Sequence, residues 1–478
     1  MARMTLEPAK AATRWVVILT AVGSLMAALD TLVVSTALST IRLDFGASVE
    51  QLEWTVNSYN LSFAVLLITA AALGDRYGRR RLYAAGLVIF AVSSAACALA
   101  PDIGWLIAGR AVQGAGAALI MPLGLALLSA AFPAEKRGAA IGIFSAITGL
   151  AVASGPLVGG VVVEGVSWEW VFWLNVPIGL LAVPLVLGFI KESHGPDAAL
   201  DLSGLALVTG GALGLVWGLV RGNQAGWDSA EVMGALTIGV VLFATFVAWE
   251  LRAREPMLPM GLFRSRAFSA GNAAIFLTFA SLFTGVFFFA QFLQTAVDNG
   301  PLGAGLRLLP WTATFMTVAP VAGALADRIG ERPLMVSGLK LQAVGLGWFA
   351  LIAEPGLEYR SMLVPFVIAG VGVSMAIPAA QNSVVGSVEP EAIGKAAGVN
   401  SMMRELGGVF GIAVTVAVFA GAGSYVSPQA FVDGFAPAIG VAAGLAALGA
   451  IVALGLPARR TAWAFAPADR ALAPERVG

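Results

Sequence analysis

Apolar residues in this chain come in long runs, broken by short polar turns rich in Gly, Pro and Arg. The runs fall at approximately 14–37, 54–74, 82–100, 103–130, 138–163, 171–190 and 202–221, and again at 233–251, 268–293, 305–326, 334–353, 361–386, 396–421 and 436–456. A helix needs about 20 such residues to cross a bilayer. The pattern therefore predicts an all-α polytopic membrane protein of fourteen transmembrane helices. An even count puts both termini on one side of the membrane.

Basic residues choose that side. Arg3, Lys10, Arg14, Arg76, Arg79, Arg80, Arg81, Lys136, Arg137, Lys191, Arg252, Arg254, Arg264, Arg266, Arg328, Arg332, Lys395, Arg459 and Arg460 fall in alternate loops, and the opposite loops carry little beyond Arg42, Arg221, Arg307 and Arg360. Positive loops stay inside, so both termini are expected in the cytoplasm, with the chain in the inner membrane of a bacterial cell.

The pattern also repeats. Ala72-Leu-Gly-Asp75-Arg-Tyr-Gly78 returns as Ala324-Leu-Ala-Asp327-Arg-Ile-Gly330. Gly114-Ala-Gly116 with Pro122 returns as Gly370-Val-Gly372 with Pro378, and Pro133 with Ala139-Ala140 returns as Pro390 with Ala396-Ala397. The offsets, 252, 256 and 257, drift steadily. Helices 2, 4 and 5 thus correspond to 10, 12 and 13, running in the same direction, as in transporters built from parallel repeats. Residues 1–190 and 261–456 are read as two six-helix halves, 191–260 as two inserted helices, and 457–478 as a cytoplasmic tail.

Composition narrows the class. The chain is 58% hydrophobic and 12% charged, against about 25% charged in soluble domains. Its 28 basic and 28 acidic residues cancel, which argues against nucleic acid as a partner. Cys97 is the one cysteine, so an intrachain disulfide or a cysteine metal site is excluded; a small core residue is expected. His194, the one histidine, sits in a polar loop. The basic N-terminus before an apolar run looks superficially like a signal peptide, but the run is too long and holds Asp30, so it is read as a retained first helix. No Gly-x-x-x-x-Gly-Lys-[Ser/Thr] loop is present. The chain is expected to be no enzyme, to need no cofactor or metal, and to work as a secondary transporter.

Four stretches carry a family resemblance. They are Leu73-Gly-Asp75-Arg76-Tyr-Gly78-Arg79-Arg80 after helix 2, Arg110-Ala-Val-Gln113-Gly114-Ala-Gly116 on helix 4, Gly155-Pro156-Leu-Val-Gly159-Gly160 on helix 5, and Trp168-Glu-Trp170-Val-Phe172-Trp-Leu-Asn175-Val-Pro177-Ile-Gly179 leading into helix 6. In this order they resemble the major facilitator superfamily, specifically its 14-helix drug:proton antiporter branch. Departures are Leu32 and Ser35 after Asp30, where the branch usually has Thr and Asn, Glu169 between the two tryptophans, and Ala151 for a glycine. The resemblance implies a major facilitator fold and proton-coupled export of hydrophobic drugs or secondary metabolites by alternating access. A proton symporter or facilitator for a small nutrient, or a non-transporting sensor, stays open.

The candidate chemistry begins at Asp30, the only carboxylate in its apolar run. A charge there costs roughly 2.5–3.5 kcal/mol on insertion scales and marks a functional site by default. Asp30 is about 24 Å along helix 1, and Arg110 about 10 Å along helix 4 from the opposite face, at 1.5 Å per residue. Both therefore fall at similar depth in the outer half, though sequence does not fix their lateral distance. Asp30 is read either as a proton carrier tuned by Arg110 or as half of a fixed ion pair. Gln113 shares the face of Arg110 and can bond either group. Helix 10 holds no carboxylate between Leu308 and Ala326, so Asp30 is expected to be the one acid deep in the cavity. Asn57, Tyr59, Gln113, Phe283, Phe287 and Gln291 are candidate cavity residues for a small hydrophobic substrate; a phenylalanine stripe also suits lipid or core. The resemblance further implies a gate at Asp75, Arg76, Arg79 and Arg80, with Asp75 facing the N-terminus of helix 13 near Gly394. Gly155, Pro156, Gly159 and Gly160 make a kinked, close-approach surface, tied by the resemblance to antiport. Arg404-Glu405 is expected to be a local charge pair. Protons and the lipid bilayer complete the expected partners, and a monomer the expected state.

Overall fold

The computed structural model describes residues 6–132, 134–195, 201–254, 256–388 and 393–457. Arg3, Pro133, Pro390, Arg459, Arg460 and the tail beyond Pro457 lie outside the described residues, as do the side chains of Lys10, Lys136, Arg137, Ala139, Ala140, Asp327 and Gly394. We number the long helices α1 (Leu6–Phe45), α2 (Val49–Tyr77), α3 (Arg79–Ala98), α4 (Ile103–Ala131) and α5 (Ala134–Gly165). Next comes α6 (Trp170–Phe189), interrupted by a turn at Leu174. After it run α7 (Leu202–Ala225), α8 (Ala230–Glu250), α9 (Arg266–Thr295), α10 (Pro301–Ile329), α11 (Glu331–Ile352), α12 (Tyr359–Val385), α13 (Ile393–Ala422) and α14 (Pro428–Ala453). The order agrees with the fourteen runs of the sequence. Among the described residues, thirteen helices are long and apolar enough to span a membrane.

Local chemistry sets the ends. Ser48 and Gln51 form a reciprocal capping box at α2. Asp102, Asp201, Ser229, Ser265 and Ser427 accept backbone N–H groups at the starts of α4, α7, α8, α9 and α14. The α2–α3 and α10–α11 turns pass through Gly78 at φ 109° and Gly330 at φ 87°, conformations that exclude a β-carbon.

The repeat is visible in the packing. Within each half the first helix packs on the fifth, the second on the fourth, and the third on the fourth and sixth. Between halves, α2 packs on α13 and α5 on α10. These seams exchange under a two-fold relation that matches α2 with α10 and α5 with α13, as the offsets require. The correspondence reaches single atoms. A methyl group at Gly114 would lie 2.3 Å from the Tyr59 carbonyl oxygen, and one at Gly370 would lie 2.4 Å from that of Trp311. The inserted α7 and α8 pack mainly on each other, with α7 leaning on α13 and α2.

Among the described residues, several polar contacts across the halves lie toward the face holding the α1–α2 turn. Gln294 Nε2 donates to the Thr36 carbonyl at 3.0 Å, and Leu302 N donates to Glu164 Oε2 at 2.9 Å. The Arg42 guanidinium lies 4.4 Å from the Tyr425 ring. The opposite, arginine-rich face holds the α2–α3 turn.

Candidate functional site

Asp30 and Arg110, placed at equal depth by their sequence positions, are in contact. Arg110 Nη1 donates to Asp30 Oδ2 in a fully buried ion pair. Gln113 Nε2 and Asn175 Nδ2 both donate to Asp30 Oδ1, at 2.9 and 3.1 Å. Arg110 Nη1 also reaches Gln113 Oε1 at 2.6 Å, and Arg110 Nε reaches the Thr55 carbonyl at 3.1 Å. Ser94 Oγ accepts from Gln113 Nε2 at 2.7 Å. The guanidinium lies 4.2 Å from the Tyr59 ring centroid, a cation–π contact. Asp30 is 2% exposed and Arg110 1%, so both charges have left water at a cost of several kcal/mol each.

Small residues make this approach possible. Gly114 brings α4 against the α2 backbone at Tyr59, which presents the Thr55 carbonyl and the Tyr59 ring to Arg110. On the other flank, methyl groups at Gly155 and Gly159 would lie 2.6 Å from Leu32 Cβ and 2.8 Å from the Val33 carbonyl oxygen. α5 thus lies close along α1, and α1 is pressed toward α4. Four helices, α1, α3, α4 and α6, supply side chains to one polar knot.

Beside the knot is a narrow central void of only about 10 Å³, bordered by Thr31, Ser35, Val56, Asn60, Phe283, Val286, Phe287 and Ile412. Drug-sized ligands occupy roughly 300–1,000 Å³, so the chamber is contracted in this state. Phe283 and Phe287 border it, and their stripe faces the interior. The other expected cavity residues lie elsewhere. Tyr59 covers Arg110 and donates to the Ala27 carbonyl at 3.2 Å. Gln113 is in the knot, Asn57 donates to Glu53 Oε1 at 3.0 Å, and Gln291 accepts from the Tyr425 hydroxyl. Burial pushes that phenol up from its ordinary range, so it stays a hydroxyl donor.

At the α2–α3 turn, Arg79 Nε meets Asp75 Oδ1 at 2.7 Å. The Asp75 backbone carbonyl accepts Gly195 N at 3.1 Å, and a methyl group at Gly195 would collide with the Asp75 carboxylate at 2.2 Å. Asp75 is therefore engaged with the connection after α6, while its expected partner near Gly394 lies outside the described side chains. Arg80 donates to the Leu187 and Ile190 carbonyls at 3.2 and 3.3 Å. Glu192 accepts the backbone N–H of Arg80 at 2.8 Å. Arg76 is exposed, stacked over Tyr77 at 5.5 Å.

The expectation that Asp30 is the one deep acid is corrected. Glu53 is fully buried, with Oε2 unpartnered, and Glu405 is 4% exposed, with Arg404 Nη2 at 2.8 Å from Oε1. Glu53 escaped notice because α2 begins at Val49, earlier than its apolar run, so a buried position read as a helix edge. Asn175 was also missed as a ligand of Asp30. Its signal was present: a lone amide at the head of the apolar run Val176–Ile190, inside a motif already singled out.

Comparison with known proteins gives consistent results. A family model described as Major Facilitator Superfamily matches residues 20–412 and 272–476. The chain is 36% identical to the tetracenomycin C resistance and export protein of Streptomyces glaucescens over 88% of its own length and 78% of that protein's. It is 34% identical to the cephamycin export protein CmcT of Amycolatopsis lactamdurans, over 90% and 89% respectively. Its fold resembles a crystal structure of the peptide transporter POT in complex with sulfate, with TM-score 0.68, 15% identity, and coverage of 92% and 93%.

Proposed function

Because the chain belongs to the major facilitator superfamily, we propose that it exports hydrophobic drugs or secondary metabolites in exchange for protons, by alternating access. The observation that carries this reading is the buried Asp30–Arg110 pair in the first half of the bundle. Two relatives are export proteins by name, which supports the direction of transport.

The knot suggests how a proton is coupled to movement. Both Asp30 oxygens accept hydrogen bonds from N–H donors. A proton added there makes one oxygen a donor, which then opposes an N–H group. Gln113 is held between Arg110 and Ser94 and cannot turn freely. Asn175 is the donor able to turn its amide and present oxygen instead. Protonation therefore loosens α6 and α4 from α1, and proton release draws them back.

In this reading the arginine-rich face is cytoplasmic, by the Lys and Arg asymmetry. The state described is then closed outside, where Gln294, Glu164 and Arg42 join the halves. Asp75, Arg79, Arg80 and Glu192 fasten the α2–α3 turn to the chain after α6 within the first half, and in this reading the cytoplasmic gate of Asp75, Arg76, Arg79 and Arg80 closes where that braced turn meets α13 of the other half. The protein works as a monomer in the inner membrane, with 1–190 and 261–456 as the moving halves.

The test uses proteoliposomes loaded against an imposed proton gradient, with an anthracene carboxamide as fluorescent probe. Wild type should move the probe uphill against the proton flow, and a protonophore should abolish this. Asp30→Asn should lose gradient-driven movement and keep probe exchange at equilibrium. Uphill movement along the proton flow would instead identify a symporter. Unchanged driven transport in Asp30→Asn would remove Asp30 from the mechanism.

A further inference from the structure

Asn60 of α2 is fully buried and borders the central void, yet neither its Oδ1 nor its Nδ2 has a hydrogen-bond partner. The other polar side chains bordering the void are already satisfied. Thr31 Oγ1 donates to the Ala27 carbonyl at 3.2 Å, and Ser35 Oγ to the Leu32 carbonyl at 2.6 Å. An amide buried without partners has given up its bonds to water and gained none in return. Asn60 offers two N–H donors and two acceptor lone pairs at the border of a space whose other linings are hydrocarbon and the already engaged hydroxyls of Thr31 and Ser35.

The walls of that space differ. Phe283, Val286 and Phe287 of α9 form an apolar side, and Val56 with Asn60 of α2 forms the other. Among the described residues no charged side chain borders the void; Asp30, the residue before Thr31, spends its charge on Arg110. A charged ligand would sit here without a counter-ion, at the cost that burial of any unpaired charge carries.

We infer that Asn60 is the polar anchor of the substrate chamber. It selects neutral, largely aromatic molecules that carry a hydrogen-bond donor and acceptor on one edge. The flat body lies against Phe283 and Phe287, and the polar edge pairs with the Asn60 amide once the halves separate enough to enlarge the void. Substrate recognition and proton handling then occupy adjacent but chemically separate places. This inference rests on the exporter reading for its biological meaning, but its test is a binding measurement that does not require transport.

The full chain in lipid nanodiscs is titrated with the anthracene carboxamide and with the corresponding methyl ester, which keeps the acceptor and lacks the donor. Wild type should prefer the amide by roughly tenfold or more. Asn60→Leu, which removes an unpaired buried amide at similar volume, should fold at least as stably. It should bind the ester somewhat more weakly than wild type, having lost the N–H that meets the ester carbonyl, and the amide more weakly still, so that the preference for the amide disappears. Asn60→Ser should keep part of it. Absence of probe binding, equal wild-type affinities, or a preference that survives Asn60→Leu would each overturn the inference. Binding with the expected preference but without driven transport would overturn the exporter reading alone.

Discussion

In the first half, Arg110 of α4 lies on the Tyr59 ring and reaches Asp30, with Gln113 and Ser94 behind it. At the corresponding places of the second half stand Phe366, Trp311, Ala369 and Leu346. Phe366 meets Phe289 at 5.0 Å and Phe349 at 4.8 Å, and Phe289 meets Trp311 at 5.1 Å. The position of Arg110 is thus closed by a charged knot in one half, and the matching position of Phe366 by an aromatic cluster in the other. Both keep the backbone contacts at Gly114 and Gly370. The comparison teaches that the fold does not require the charges. Aromatic rings hold the junction without the desolvation cost of two buried ions, so packing alone does not account for the ions in the first half, which agrees with the proposed proton coupling.

The largest test of this contrast leaves one charge alone. Arg110→Leu strands Asp30 in the bundle and should destabilise the protein by about 3–5 kcal/mol, seen as a fall in detergent melting temperature. The double variant Asp30→Asn/Arg110→Leu should recover much of that loss while transport stays absent. Failure of the recovery would show that the pair is needed for the fold after all. A smaller effect is expected at Asn175. Asn175→Ala removes one hydrogen bond to a charged group, about 1.5–3 kcal/mol, and should shift the pH profile of driven transport while Asn175→Asp shifts it differently. A profile that stays in place would reduce Asn175 to packing. The smallest effect belongs to the aromatic junction. Phe366→Met should cost less than about 1.5 kcal/mol and leave the number of protons exchanged per probe unchanged. A change in that number would place coupling in both halves.

Much of this was legible from spacing alone. Long apolar runs can be satisfied in lipid only by helices, so the architecture followed from hydropathy, and the correspondence of α2 with α10 and of α5 with α13 followed from the offsets. The depth of Asp30 and Arg110 followed from helical rise. Their lateral contact did not, because it is made by Gly114, Gly155 and Gly159, whose neighbours are set only when helices meet. Asn175 was visible as a residue and invisible as a ligand, since the break at Leu174 turns it toward α1. Glu53 and Glu405 were hidden by position near charged or polar neighbours, where a local pattern does not distinguish a solvated edge from a buried seam.

The α5–α10 seam has a mechanical meaning. Gly160 faces the Pro301 carbonyl and Gly305 faces the Pro156 carbonyl, so each helix offers a bare spot to the other's backbone. Where most helix pairs interlock through side chains that must change rotamer to slide, here two smooth tracks touch. In the proposed alternating-access cycle such a surface serves as a bearing on which one half turns against the other, with the Leu302–Glu164 hydrogen bond as a latch at its end. Substitutions along it should therefore alter how fast the cycle turns over more than how tightly anything is held.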